Sequence, residues 1–179
     1  MSLPVEKALL KAQSHIKAGE LAEAEELYKL VLSKFPQEKK AIQGYQKLKE
    51  SHPPQAAVDQ IVGLYNQDKL EQTVSLAENL AKQYPNALIL YDILGAAYMG
   101  LKNTEKTIAS YQKALQLNSN HTDAYNNMGM ALYDQGRFDE AVESYQKAVK
   151  LEPSFADAHY NLGNALKQTG DLKKAIESY

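Results

Sequence analysis

Cysteine and tryptophan are missing from this 179-residue chain, phenylalanine occurs three times, and proline and glycine supply only 6 and 9 residues. Each shortage excludes something. Without cysteine there are no disulfides and no thiolate metal sites. No stretch comes near the roughly 18 consecutive apolar residues that a membrane-spanning helix needs. The first residues carry no basic stretch followed by an apolar run, so no secretory leader is read there. Twenty basic side chains against 22 acidic ones leave a formal charge of -2. That balance lacks the clustered basic surface that nucleic-acid phosphates demand. The expectation is a soluble, cytoplasmic protein, in which the sequon Asn120-His121-Thr122 is chance.

What is present is helical material. Ala, Leu, Glu, Lys and Gln dominate, all strong helix formers, and runs of alternating β-branched residues are absent. Apolar residues make up 44% of the chain, enough to bury a core, and the length allows one domain or two. The fold class expected is all-α.

The chain also repeats itself. Tyr111, Tyr145 and Tyr179 are spaced by 34, as are Gly95, Gly129 and Gly163. Ala141 and Ala175 match, with Thr107 one period earlier; Pro85 and Pro153 lie two periods apart, with Ser119 between them. Asn127-Met128-Gly129-Met130-Ala131-Leu132 is echoed by Asn161-Leu162-Gly163-Asn164-Ala165-Leu166. A fixed period of this size is the mark of stacked helix-turn-helix units. Small residues such as Gly129, Ala141 and Ala148 let two helices approach, and large ones such as Tyr125, Leu132 and Tyr145 fill the gaps between pairs. One pair cannot bury its own apolar faces, so the units must stack. Gly19, Gly136 and Gly170 fall between paired helices, where a left-handed cap favours glycine. Pro36, Pro85 and Pro153 end second helices, because proline cannot continue one.

With this spread of positions the chain resembles the tetratricopeptide repeat family over nearly its whole length. The resemblance implies a right-handed α-α superhelix with units 54–87, 88–121 and 122–155, a partial unit 156–179, and an earlier unit 5–38 anchored by Ala24 and Tyr28. The family's first-helix tryptophan is replaced by Ala57, Tyr91, Tyr125 and His159, so packing there is expected to vary between units.

One interval breaks the period. Tyr28 and Tyr111 are 83 residues apart, two periods plus 15. The extra residues, between Lys39 and Pro53, read as one amphipathic helix with Ala41, Ile42, Tyr45 and Leu48 on a face, closed by Pro53-Pro54. The expectation is an unpaired helix near 38–51, an N-terminal subdomain 1–52 packed at its own angle, and an array over 53–179. The chain stops in the middle of a second helix, which leaves Leu162, Leu166, Ile176 and Tyr179 without a cap. Solenoids need one, so a piece of a longer protein is expected, or an end covered by another chain. Met1-Ser2-Leu3 reads as a remnant of cloning.

Catalytic patterns are few. Ser14…Lys17, Ser110…Lys113 and Ser144…Lys147 match the S-x-x-K spacing of acyl-transferring serines. The last two recur with the period, and the partner motifs S-D-N and K-T-G are missing. His15, His52, His121 and His159 show no i, i+4 ligand spacing, so no metal is expected. No glycine-rich phosphate loop is present. The chain is read as a non-enzyme without cofactors.

In the family the first helices line the concave face. That places Val58, Asp59, Val62 and Asn66 there, then Asp92, Ile93, Ala96 and Met99. Next come Asp123, Asn126, Asn127, Met130 and Tyr133, and finally Asp157, Tyr160, Asn161, Asn164 and Lys167. Asn127 and Asn161 are equivalent. In the last two units the sequence is similar to the repeats of O-linked N-acetylglucosamine transferase, where asparagines at this place hydrogen-bond a bound peptide backbone; an amide offers both donor and acceptor. Family background at these positions is the plainer alternative. Asp59, Asp92, Asp123 and Asp157 face few bases, which favours a neutral or basic peptide over an acidic one, a solvated face being the alternative. The basic positions of the carboxylate-clamp subfamily hold Asp, Val or Ala, which argues against chaperone tails. The reading is a scaffold that holds an extended peptide or protein partner. The alternatives are a self-assembling scaffold, with a homo-oligomer formed through the uncapped end, and the substrate-recruiting part of a larger enzyme such as a glycosyltransferase.

Overall fold

Eleven helices and no strand form among the described residues, 5–179, of the computed structural model; Met1-Ser2-Leu3 lies outside the described residues. In chain order they are α1 (Val5–Ala18), α2 (Leu21–Lys34), α3 (Lys39–Ser51), α4 (Gln55–Asn66), α5 (Leu70–Gln83), α6 (Leu88–Gly100), α7 (Thr104–Leu117), α8 (Thr122–Asp134), α9 (Phe138–Leu151), α10 (Ala156–Gln168) and α11 (Leu172–Ser178). None is long and apolar enough to cross a membrane. The chain divides into two compact units, Met1–Val58 and Asp59–Tyr179.

In the first unit α1 packs on α2 and α2 on α3. Ala8, Ala12, Ala24, Tyr28, Ala41 and Leu48 are buried in its core. Helix α3 is the extra helix of the broken period, and it has a definite place in the repeat. It starts eighteen residues after the start of α2, the same step that separates α6 from α5, α8 from α7 and α10 from α9. It thus stands in the register of a first helix. Its apolar face is narrower than the sequence predicts. Ala41 and Leu48 are buried and Tyr45 is half-buried, its hydroxyl donating to Glu25 at 2.9 Å. Ile42 is 40% exposed, which corrects its place on that face. Residues 41, 45 and 48 follow the i, i+4, i+7 stripe that one neighbour can cover, and residue 42 lies about 100° round the helix from it.

In the second unit first and second helices alternate. α6 pairs with α7, α8 with α9 and α10 with α11, and each second helix packs on the next first helix. Ile108, Leu132, Ala141, Tyr145, Leu162 and Leu166 belong to one continuous core, so the stacking that the lone pairs require is present. The turns between paired helices have left-handed backbone at Gly136 and Gly170, with φ of +72° and +87°, as does Gly19 in the first unit at +79°. Asp68 and Lys102 stand at the equivalent turns with φ of +58° and +57°, where a side chain meets its own carbonyl and glycine would not. At two of the four positions Ala57, Tyr91, Tyr125 and His159, different side chains reach the equivalent proline carbonyl. Tyr91 donates to the carbonyl of Pro85 at 3.0 Å, and His159 Nε2 lies 3.0 Å from the carbonyl of Pro153. In those two units a different side chain makes the same link between the end of the second helix and the next first helix.

Candidate peptide-binding face

The 34-residue period places equivalent residues of α8 and α10 side by side, and amides form a row across them. Asn161 Nδ2 donates to Asn126 Oδ1 at 3.0 Å. Asn126 Nδ2 points to Asn127 Oδ1 at 3.4 Å and to Met130 Sδ at 3.8 Å. Asn127 Nδ2 donates to the hydroxyl of Tyr111 on α7 at 3.3 Å. Asn126 is only 6% exposed, and a buried amide is tolerated because its polar atoms find partners. Asn127 and Asn161 are half-buried. By count, an amide has two donors and two acceptor lone pairs, so both keep capacity that the row does not use.

Next to this row lies a hollow of about 300 Å³. Val62, Ile93, Ala96 and Ala124 give it apolar walls, and Tyr65 and Tyr111 add rings. Its polar lining is Asp92, Asp123, Asn127 and His121. His121 stands at the residue before α8, and its Nε2 sits 3.0 and 2.9 Å from the two carboxylate oxygens of Asp92. That hydrogen bond, with the charges of Asp92 and Asp123, raises the imidazole above its ordinary value of 6.5 against the opposing effect of burial. Burial pushes the Tyr111 phenol up to about 12, with both aspartates adding and the Asn127 hydrogen bond opposing.

The residues expected on this face thus fall into groups. Asn126, Asn127, Met130 and Asn161 form the row, while Val62, Asp92, Ile93, Ala96 and Asp123 line the hollow. Tyr160 and Asn164 belong to another cluster. The Tyr179 hydroxyl donates to Asn164 Oδ1 at 2.8 Å, and its ring lies 5.9 Å from that of Tyr160. The Tyr133 hydroxyl accepts from Gln168 at 3.2 Å, and its ring meets Phe138 edge-on. Asp59 and Asp157 are exposed, on α4 and in the first turn of α10, and line no part of the hollow; neither do Asn66, Met99 and Lys167. Of the aspartates expected to face few bases, Asp92 is engaged by His121. Tyr65, Tyr111 and His121 were not among the residues that the sequence placed on this face. The available signal was the position of His121, one period less five residues after Asp92.

The periodic serines have structural duties. Ser110 Oγ donates to the carbonyl of Lys106 at 2.8 Å and Ser144 Oγ to that of Tyr125 at 2.9 Å. Among the described residues no three His, Asp or Glu side chains converge as a metal site.

Comparison with known proteins agrees with this architecture. The family described as "TPR repeat" matches residues 95–136 and 129–170, and "Tetratricopeptide repeat" matches residues 8–38. Together the matches cover more than half of the chain. No curated protein matches in sequence. Among solved structures, "MamA 41-end from Desulfovibrio magneticus RS-1" is 19% identical with a TM-score of 0.66, covering 97% of this chain and 90% of that one. "Crystal structure of MamA" is 20% identical at 0.63, covering 99% and 92%, and "MamA AMB-1 P212121" is 20% identical at 0.63, covering 97% and 87%. At such identity the likeness shows the fold.

Proposed function

We propose that this chain, which belongs to the tetratricopeptide repeat family, is a protein-interaction scaffold that holds an extended segment of a partner against its first helices. It recognises and does not catalyse, and it works in the cytoplasm. The observation that carries this reading is the amide row from Asn161 through Asn126 and Asn127 to Tyr111, set beside a hollow open on the same face. An extended peptide has an unpaired N–H and C=O at every residue and must find partners for those it desolvates. Half-buried asparagines with spare donors and acceptors supply them, already oriented, so little rotamer freedom is lost on binding. The finer likeness to transferase repeats rests on the same two residues, Asn127 and Asn161.

The test is a peptide selected from a random display library on the whole chain, then titrated against the Asn127→Ala/Asn161→Ala variant. Affinity should fall by roughly tenfold, the loss of one or two hydrogen bonds. A peptide that binds the variant as tightly as the parent removes the amide row from the account.

A further inference from the structure

Resting on that reading, we propose that the hollow between α6 and α8 is an anchor pocket for one basic side chain, lysine or arginine, of the bound segment, whose charged head takes the place of His121 at Asp92. Four observations converge on this occupant. The walls made by Val62, Ile93, Ala96 and Ala124 suit the methylene stem of a long side chain, which packs on apolar surface while its head seeks charge. The carboxylates of Asp92 and Asp123 stand at the same hollow, and among the described residues that line it there is no lysine or arginine. His121 already shows the geometry a cation would use, with Nε2 within 3.0 Å of both oxygens of Asp92. At about 300 Å³ the space is at the lower end of the range for small-molecule sites, right for one side chain. An acidic anchor would face two carboxylates, and an apolar one would strip water from them without replacing it.

The groups that face the hollow are Asp92 from α6, Asp123 and His121 at the start of α8, Tyr111 from α7 and Tyr65 from α4. Both aspartates act on Tyr111 and on His121 in the same sense, raising the phenol and the imidazole. The imidazole is the group whose proton Asp92 holds directly, and that contact raises it. An arriving cation competes with the imidazolium for Asp92, so binding expels a proton and tightens as pH rises through the raised imidazole value.

The experiment is selection of random displayed peptides on the whole chain, followed by calorimetry of the selected peptide at about pH 6 and about pH 8. The expected result is one fixed position occupied by lysine or arginine, with tighter binding at the higher pH. Asp92→Asn/Asp123→Asn should weaken that peptide by about tenfold or more. Ala96→Leu, which fills the hollow without changing charge, should do the same and carries the test if the charge variant fails to fold by circular dichroism. Selected peptides without a basic position, or with unchanged affinity for the folded variants, overturn the pocket and leave the groove standing. If no peptide is enriched at all, the groove reading fails along with it.

Discussion

Tyr111 lies on Gly95 so closely that a methyl group built there would sit 2.6 Å from the ring. The ring cannot easily swing away, because it is 3% exposed and its hydroxyl receives Asn127. The same ring lines the hollow, so helix packing and the shape of the proposed site are set by one contact. Gly95→Ala is expected to destabilise the chain by about 1–3 kcal/mol through overpacking, with a lower urea midpoint, and to weaken a selected peptide as well. An unchanged midpoint would mean that α6 and α7 are free to separate.

The left-handed turns at Asp68 and Lys102 predict the opposite sign. Each non-glycine residue there costs roughly 1–2 kcal/mol, partly offset by the looser unfolded chain that glycine brings. Asp68→Gly and Lys102→Gly should each raise the thermal midpoint, by an amount equivalent to about 0.5–1 kcal/mol. Gly136→Ala, at the equivalent turn, should lower it.

The His121–Asp92 pair sets a pH dependence. The imidazole is raised in the folded chain above its ordinary 6.5. Its stabilising contribution is therefore complete below 6.5 and is lost as pH rises through the raised value. Asp92→Asn should cost stability at about pH 5.5 and much less above pH 8, a difference of about 1 kcal/mol between the two denaturation experiments. A constant gap would show that protonated His121 is not what Asp92 holds.

Asn161→Ala removes the donor to Asn126 Oδ1, on a residue 6% exposed. The orphaned carbonyl should cost about 1–2 kcal/mol, and water entry should restore part of it. Urea denaturation of this single variant separates the structural cost from any loss of binding.

The period was legible because it is written in residues with one geometric duty. Tyr111 and Tyr145 must meet glycine, and the turns between paired helices take glycine wherever a left-handed cap is cheapest. The extra helix α3 could be placed by counting from Tyr28. The breadth of its buried face could not, since Ile42 looks apolar whatever covers it, and only the packing on α2 decides. On the candidate face, Asn127 and Asn161 follow from the repeat register. His121 does not, because it stands before its helix and pairs off the period. Asp68 and Lys102 hide a left-handed turn behind residues other than the glycine that marks it elsewhere.

The central claim is that the first helices hold an extended segment. It is tested most directly by titrating the isotope-labelled chain with a selected peptide and following backbone amide shifts. The account predicts the largest changes along α6, α8 and α10, at Asp92, Asn127 and Asn161 and their neighbours. Changes confined to the outer surfaces of α7 and α9, around Lys113 and Lys147, would contradict it.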